Sequence, residues 1–477
     1  MHDHTIMFRY LLYQIEYRRW LFLALAVALI VHLVPIQTSL TPAGKSILAI
    51  VLMTVLLVIF EPIPLPVISF LIAVLEVLFG IARPADVAQS FMSDSVIFIM
   101  GSLMLAVAIV KQQLDKRILF FILRLTKDSV RLTVMSLIFI AGLLASVMGE
   151  HSVAAIMLPV SLILVRIWQE NQVRESNQPV VFLMAVAYGA AVAAIGTPSG
   201  GARNAIMLDY WERVSGVRVS YLEWMLGMYP LVLAQLPILY FLLLRVYRPA
   251  AGGLANAYSF LRREMHQQRQ FSVEDWITVS ILLLTVFLWM VFSDSLGLGP
   301  IALVGVLLCI ISGVLNWDDI SHDVNWGVPI LYASIISLGL WMDSTGAADW
   351  IADGLHFLLG FESGGGSLLL IVSLTLLSML VGAIVSSGPA IALLGPIFLR
   401  QAQLSGADPL VFGMVLVAGA SYSNFTPVSS PACTIIYGSG LVPRSDYWRI
   451  GLRLAVVSFV VIVAFAYFYW PFVTSHF

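Results

Sequence analysis

The chain carries little charge. Only 11% of its 477 residues are Asp, Glu, Lys or Arg, against 60% that are hydrophobic. A soluble domain of this size and composition would lack the polar side chains to cover its surface. With a mean hydropathy of +0.95, the sequence reads as an all-α polytopic membrane protein whose first partner is the lipid bilayer. Cysteine is scarce as well. Cys309 and Cys433 stand apart in apolar or loop context, which excludes a disulfide framework and zinc-ligand spacing. No nucleotide-binding loop, metal-ligand cluster or nucleophile motif stands out, so neither an enzyme nor a nucleic-acid binder is indicated. A cleavable signal is missing too. The first apolar run begins after Trp20, behind an Arg-bearing start and without a small-residue cleavage site, and reads as a retained span.

Hydrophobic runs are what the chain has in plenty. Spans are predicted at about 20–35, 45–60, 64–80 and 94–110, each near the length that a ~30 Å hydrocarbon core demands. A basic amphipathic stretch follows at 111–131. Residues 131–168 are long enough for two spans but bend at Gly149–Ser152, and read as a re-entrant hairpin. A span over 179–215 is interrupted at 196–203, another covers 225–244, and a basic loop at 245–270 closes the first half. The second half repeats the plan: spans at 274–292, 299–315 and 326–342, an amphipathic stretch at 347–360, a hairpin at 366–402, an interrupted span at 409–437 and a last span at 450–470. This divides the chain into a tail and first span (1–44), a first repeat (45–245), a linker (246–273) and a second repeat (274–472). The whole amounts to about 11 transmembrane helices with two re-entrant hairpins and two broken helices. With the N-terminus in the cytoplasm, 19 of the 25 Lys and Arg fall on cytoplasmic segments, as the positive-inside rule requires. The two hairpins then open to opposite sides, so the repeats are inverted. The membrane is the plasma membrane, or the inner membrane in a Gram-negative bacterium.

Two broken elements at corresponding places in each half are the best sequence pointer to a transporter's central site. Non-helical backbone at membrane depth is tolerated only where protein or a water-filled cavity satisfies it, so the four breaks are expected to meet around one aqueous site. Helices starting near Ser152, Asn204, Pro389 and Thr434 would aim their positive dipole ends at an anion there. Glu150 and His151 stand out, because a charge at mid-bilayer costs roughly 2.5–3.5 kcal/mol. They form either a titratable pair at the tip or a hydrogen bond that pins it. Arg203 is either the counter-charge for a carboxylate or sulfate, which a guanidinium matches bidentately, or a residue that snorkels outward or pairs with Asp209. Ser152, Thr197, Ser199, Ser386, Ser387, Thr426, Ser429 and Ser430 are candidate donors as a set, although each could equally bond a helix carbonyl. Glu76 and Asp94 read as structural, His32 and His356 as interfacial, and the Trp and Tyr near span ends mostly as belt anchors.

Three of these stretches, Ala154–Val160, Gly196–Asn204 and above all Pro427–Gly440, resemble the divalent anion/sodium symporter family of dicarboxylate and sulfate transporters. The resemblance covers about residues 45–470. It implies a homodimer with a fixed scaffold and a moving transport domain, an elevator-like movement, and two sodium sites flanking one anion site. Substrate contacts would come from Glu150, His151, Ser152, Arg203, Ser386, Ser387, Gly388, Thr426 and Pro427. Sodium would be held by Gly149, Gly196, Thr197 and Asn204 on one side and by Ser386, Asn424, Ser430 and Cys433 on the other. The sequence departs from the family at its tips. Where the family carries Ser-Asn-Thr, this chain has Gly149-Glu150-His151 and Ser386-Ser387-Gly388, and the usual Asn of the second broken span is Cys433. A carboxylate at the tip repels a dianion unless it is protonated or paired, which points to proton coupling or to a different substrate.

The reading is therefore a secondary active transporter of a small anion, with sodium or proton coupling and no other cofactor. Two alternatives stay open: a cation/proton antiporter that uses Glu150 and His151, and a transport-inactive membrane sensor.

Overall fold

Glycines with positive φ follow several helices of this chain, as at Gly149, Gly297 and Gly406, whereas Pro159, Pro230, Pro237 and Pro396 lie inside helices. The computed structural model describes residues 19–34, 40–114, 117, 129–171, 180–248, 271–359 and 368–477. The tail at 1–18, most of the basic stretch at 111–131 and nearly all of the 245–270 loop lie outside them. Five helices come first: α1 (Arg19–Leu33), α2 (Pro42–Phe60), α3 (Leu65–Leu78), α4 (Pro84–Phe91) and α5 (Asp94–Lys111). The first hairpin is α6 (Val130–Met148) and α7 (Glu150–Asn171), and the first broken element is α8 (Val180–Ala193) and α9 (Ala202–Val214). The half closes with α10 (Tyr221–Tyr247). The second half holds α11 (Val273–Leu296), α12 (Leu298–Ile311), α13 (Trp317–Asp323), α14 (Gly327–Ser344) and α15 (Ala347–Leu359). Its hairpin is α16 (Leu368–Val385) and α17 (Ser387–Ser405), and its broken element is α18 (Pro409–Ser421) and α19 (Pro431–Gly438). The chain ends in α20 (Arg444–Ala464), a π-helical turn at Phe465–Tyr469 and α21 (Trp470–Thr474).

Among the described residues, eight helical stretches are long and apolar enough to cross a membrane, and five apolar helices are shorter. Two of the short ones are the leading arms of the broken elements. At ~1.5 Å per residue, α8 reaches only ~21 Å of a ~30 Å core. Every residue of α8 is buried, as is α18 from Leu410 to Ser421. Buried on all faces, they form the centre of the molecule. Arm α8 packs on α6, and α18 packs on α16 in the same way. Across the halves, α7 packs on α19 and α9 on α17. Each hairpin thus lies against the leading arm of its own half and the trailing arm of the other.

Polar residues at the helix ends fix this frame. Asp94 accepts hydrogen bonds from the backbone N–H groups of Leu298 and Gly299, both at 3.0 Å, and so anchors the start of α12 to α5. Glu76 is buried and accepts from Ser337 at 2.8 Å. His32 meets Ser46 at 2.9 Å, and His356 meets Gln401 at 3.1 Å.

Candidate functional site

The two hairpin tips share one backbone geometry. Gly149 has φ 80° and ψ 149°, and Ser386 has φ 73° and ψ 155°. The two broken elements match as well. Thr197 is extended (φ −133°, ψ 155°), a single 3-10 turn covers Pro198–Gly200, and the extended Gly201 leads into α9. Thr426 is likewise extended (φ −120°, ψ 152°), a 3-10 turn covers Pro427–Ser429, and the extended Ser430 leads into α19. In each half the threonine hydroxyl donates to the hairpin carbonyl three residues before the tip: Thr197 to Ser146, and Thr426 to Ala383 at 3.2 Å. Helices therefore begin at Glu150, Ala202, Ser387 and Pro431, two or three residues before the expected starts. The reason is that the extended or positive-φ residue, rather than the first conventional capping type, ends the break.

Tyrosines and a tryptophan bond carbonyls at the breaks and in the helices beside them. Tyr188 donates to Asn424 O at 2.6 Å, Tyr422 to Val192 O at 3.2 Å, Trp224 to Ile195 O at 2.9 Å and Tyr447 to Cys433 O at 3.0 Å. Tyr221 shares a hydrogen bond with Ser199 at 2.8 Å, and Tyr210 donates to Ala392 O at 2.9 Å. All six are buried. They are not belt anchors: five bond buried backbone carbonyls and Tyr221 a buried hydroxyl, none with water to turn to. Gly200 is glycine for want of room: a Cβ there would lie 2.2 Å from Ala194 O.

One ion pair sits where the four breaks converge. Glu150 is paired with Arg203, and both are almost wholly buried, 3% and 4% exposed. The other carboxylate oxygen of Glu150 accepts from Ser430 Oγ at 2.8 Å, while Arg203 Nη1 also reaches Ser387 Oγ at 3.3 Å. First tip, first break, second tip and second break each give one side chain to this network. Arg203 pairs neither with Asp209, which Arg213 holds at 3.1 Å, nor with solvent. The guanidinium uses Nη1 alone in these bonds; its Nε is buried and has no hydrogen-bond partner among the described residues.

The remaining candidates surround the pair. His151 and Ser152 are half-buried on the first turn of α7. Gly388 lies under Tyr332, whose hydroxyl would be 2.5 Å from a Cβ there. Ser386 donates to Ser429 O at 3.3 Å. Gly196 lies against the Tyr229 ring, and Cys433 is buried. Asn204 donates through Nδ2 to Ala194 O at 2.8 Å and to Thr197 O at 2.7 Å, and its Oδ1 is buried without a partner among the described residues. A neutral, unpartnered oxygen in such a place fits a small cation. A separate cavity of about 30 Å³ lies on the first tip and break, lined in part by Gly149, Pro198, Ser199 and Gly201, with room for a water molecule or an ion. In the second half Asn424 Oδ1 accepts from Ser429 at 3.4 Å, so it is not free in the same way. Sequence reasoning did not find Tyr332, Tyr422 or Tyr188; an aromatic within a buried span was their only signal.

Buried broken helices around a central charged site define a multi-pass membrane transporter. The transmembrane region of sodium:sulfate symporters matches the chain over residues 17–476, and the chain belongs to that family. It is 26% identical over 448 residues to an uncharacterised transporter of Haemophilus influenzae, covering 90% of this chain and 92% of that protein. It is 23% identical over 455 residues to the sodium-dependent dicarboxylate transporter SdcS of Staphylococcus aureus, covering 90% and 86%. In fold it is similar to the crystal structure of the Alcanivorax borkumensis YdaH transporter, with TM-score 0.57, 14% identity, and 83% and 89% of the two chains covered.

Proposed function

We propose that this chain is a secondary active transporter of a small anion of the dicarboxylate or sulfate class, coupled to sodium or protons. The observation that carries the reading is the convergence of all four breaks on Arg203, a buried cation with an unpartnered donor. A guanidinium suits a carboxylate or sulfate, since its donors form a fixed fork. The starts of α7 and α17 add backbone N–H groups to the same neighbourhood. Asn204 Oδ1, on the side chain that also bonds Thr197 O, would take a sodium ion, with Gly149 and Gly196 as further candidate ligands. The second flank, with Ser386, Asn424, Ser430 and Cys433, offers a softer and more fully bonded set. The Staphylococcus relatives, named as sodium-dependent dicarboxylate transporters, support both halves of the reading.

The matched tips and breaks support an inverted repeat that moves as an elevator, the hairpins and broken elements sliding past the outer helices. A homodimer, about eleven crossings, a cytoplasmic N-terminus and residence in the plasma membrane, or the inner membrane of a Gram-negative bacterium, complete the proposal. The first test is the thermal stability of the purified protein with succinate, citrate, sulfate, aspartate and phosphate, each in sodium and in choline buffer. A ligand at 100 times its dissociation constant adds about 2.7 kcal/mol. Stabilisation by an anion in sodium alone supports sodium symport, and silence across the panel counts against the dicarboxylate and sulfate classes. Proton coupling through Glu150 is the second reading, favoured by a carboxylate at the tip. It is abandoned if Glu150→Gln leaves the pH dependence of uptake unchanged.

A further inference from the structure

Within the site just described, the charges are unusual in their balance. Arg203 is the one buried cation where the breaks meet, and Glu150 already brings it a carboxylate. That carboxylate is held from two sides, by Arg203 on one oxygen and by Ser430 at 2.8 Å on the other. It is a fixed ligand and not a loose neighbour. The pair is also incomplete. Arg203 Nε is buried and donates to nothing among the described residues, and an unmade bond from a buried charged donor is costly. The open edge of the guanidinium therefore asks for one more acceptor, while the opposite edge keeps Glu150.

We propose that Glu150 is the specificity-determining residue of the anion site: it stands in for one carboxylate of the cargo, so the site takes a ligand with a single ionised oxyanion group. The inference rests on the anion-transport reading and replaces its dianionic classes with a singly charged cargo. With such a ligand on the Nε edge, two negative groups share one guanidinium, and one co-transported cation makes the loaded site neutral. A dianion adds a further negative charge beside Glu150 in a dry surrounding, where like charges repel strongly. The hydroxyl of Ser387, which shares Nη1 at 3.3 Å, occupies the position in the second hairpin that Glu150 holds in the first. Only one tip carries the built-in charge.

Succinate and its monomethyl ester differ little in size but by one charge at neutral pH, where free carboxyl groups are ionised. Their binding to the purified full-length protein is measured by calorimetry in sodium buffer, and their uptake in proteoliposomes. The wild type is expected to bind the monoester at least about tenfold more tightly, and Glu150→Gln to move the ratio at least about tenfold toward succinate. A role confined to stability would not move that ratio. A wild type that prefers succinate overturns the inference, with or without a folded variant, and so does a folded Glu150→Gln with an unchanged ratio. In both cases succinate uptake leaves the transport reading standing. If the wild type neither binds nor carries any of the compounds or sulfate, with any cation, both readings fall together.

Discussion

Gly149 and Ser386 hold the same backbone conformation at the tips of the two hairpins, within 7° in φ and 6° in ψ. That region of φ/ψ space is almost reserved for glycine and costs other residues about 1–3 kcal/mol. The strain at Ser386 is thus part of the second tip's construction. Ser386→Gly is expected to be more stable than Ser386→Ala by about 1–2 kcal/mol, since alanine keeps the strain and both lose the bond to Ser429. Gly149→Ala should destabilise by a similar amount. Thermal unfolding of the three variants checks this, and equal stabilities at position 386 would mean the tip is relaxed.

The Glu150–Arg203 pair yields a second prediction. Truncating either partner strands a buried charge, at a cost of about 3–5 kcal/mol. Arg203→Ala should therefore lower the melting temperature markedly and abolish uptake. Adding Glu150→Gln should restore much of the stability and none of the Arg203-dependent uptake. A double-mutant cycle reads the coupling directly, and strictly additive losses would argue against an interaction between the two.

Asn204 separates structural from ion-binding roles through sodium itself. Asn204→Ala frees the carbonyls of Ala194 and Thr197 and should cost about 1–3 kcal/mol in any buffer. Beyond that, the extra stability that the wild type gains in sodium over choline should vanish in the variant. A sodium shift of unchanged size would place the ion elsewhere.

A fourth prediction concerns pH at the membrane surface. Asp319, on the short helix α13, accepts from Lys111 and from the backbone N–H of Asn316 at 2.8 Å. These bonds hold its carboxyl below the usual carboxylate range. A depressed carboxyl contributes stability that is complete above the ordinary value near pH 4 and is lost as pH falls through the folded value. The pair is partly solvated, so the contribution is about 0.5 kcal/mol. Asp319→Asn should lower the melting temperature slightly at neutral pH and converge with the wild type in acid. A gap that widens in acid would reverse the sign and refute the assignment.

Much of this architecture was legible in the residues. Long apolar runs gave the spans, and the small-polar corners at Gly149 and Ser386 gave the hairpins, because both signals are local. The two short helices, α4 and α13, escaped a reading by hydropathy, although an aspartate in the first turn of each, Asp86 and Asp319, accepts from the backbone N–H of Arg83 and of Asn316. The partner of Arg203 was not legible. Asp209 stands six positions away on the same helix and Glu150 fifty-three positions back, and nothing local distinguishes them. Nor could periodicity show that tyrosines deep in the spans would bond the carbonyls of another break, since those bonds form only when the halves dock.

The central network also dictates an order of assembly. Arg203 follows Glu150 by 53 residues and Ser430 follows it by 280. At ribosomal speeds of roughly 5–20 residues per second, the carboxylate waits about 3–10 s for its cation and about 14–56 s for its last hydroxyl. Until then the first hairpin holds an ionisable group without its final partners. The site is completed only late in synthesis, and a chain cut short before Ser430 never closes it.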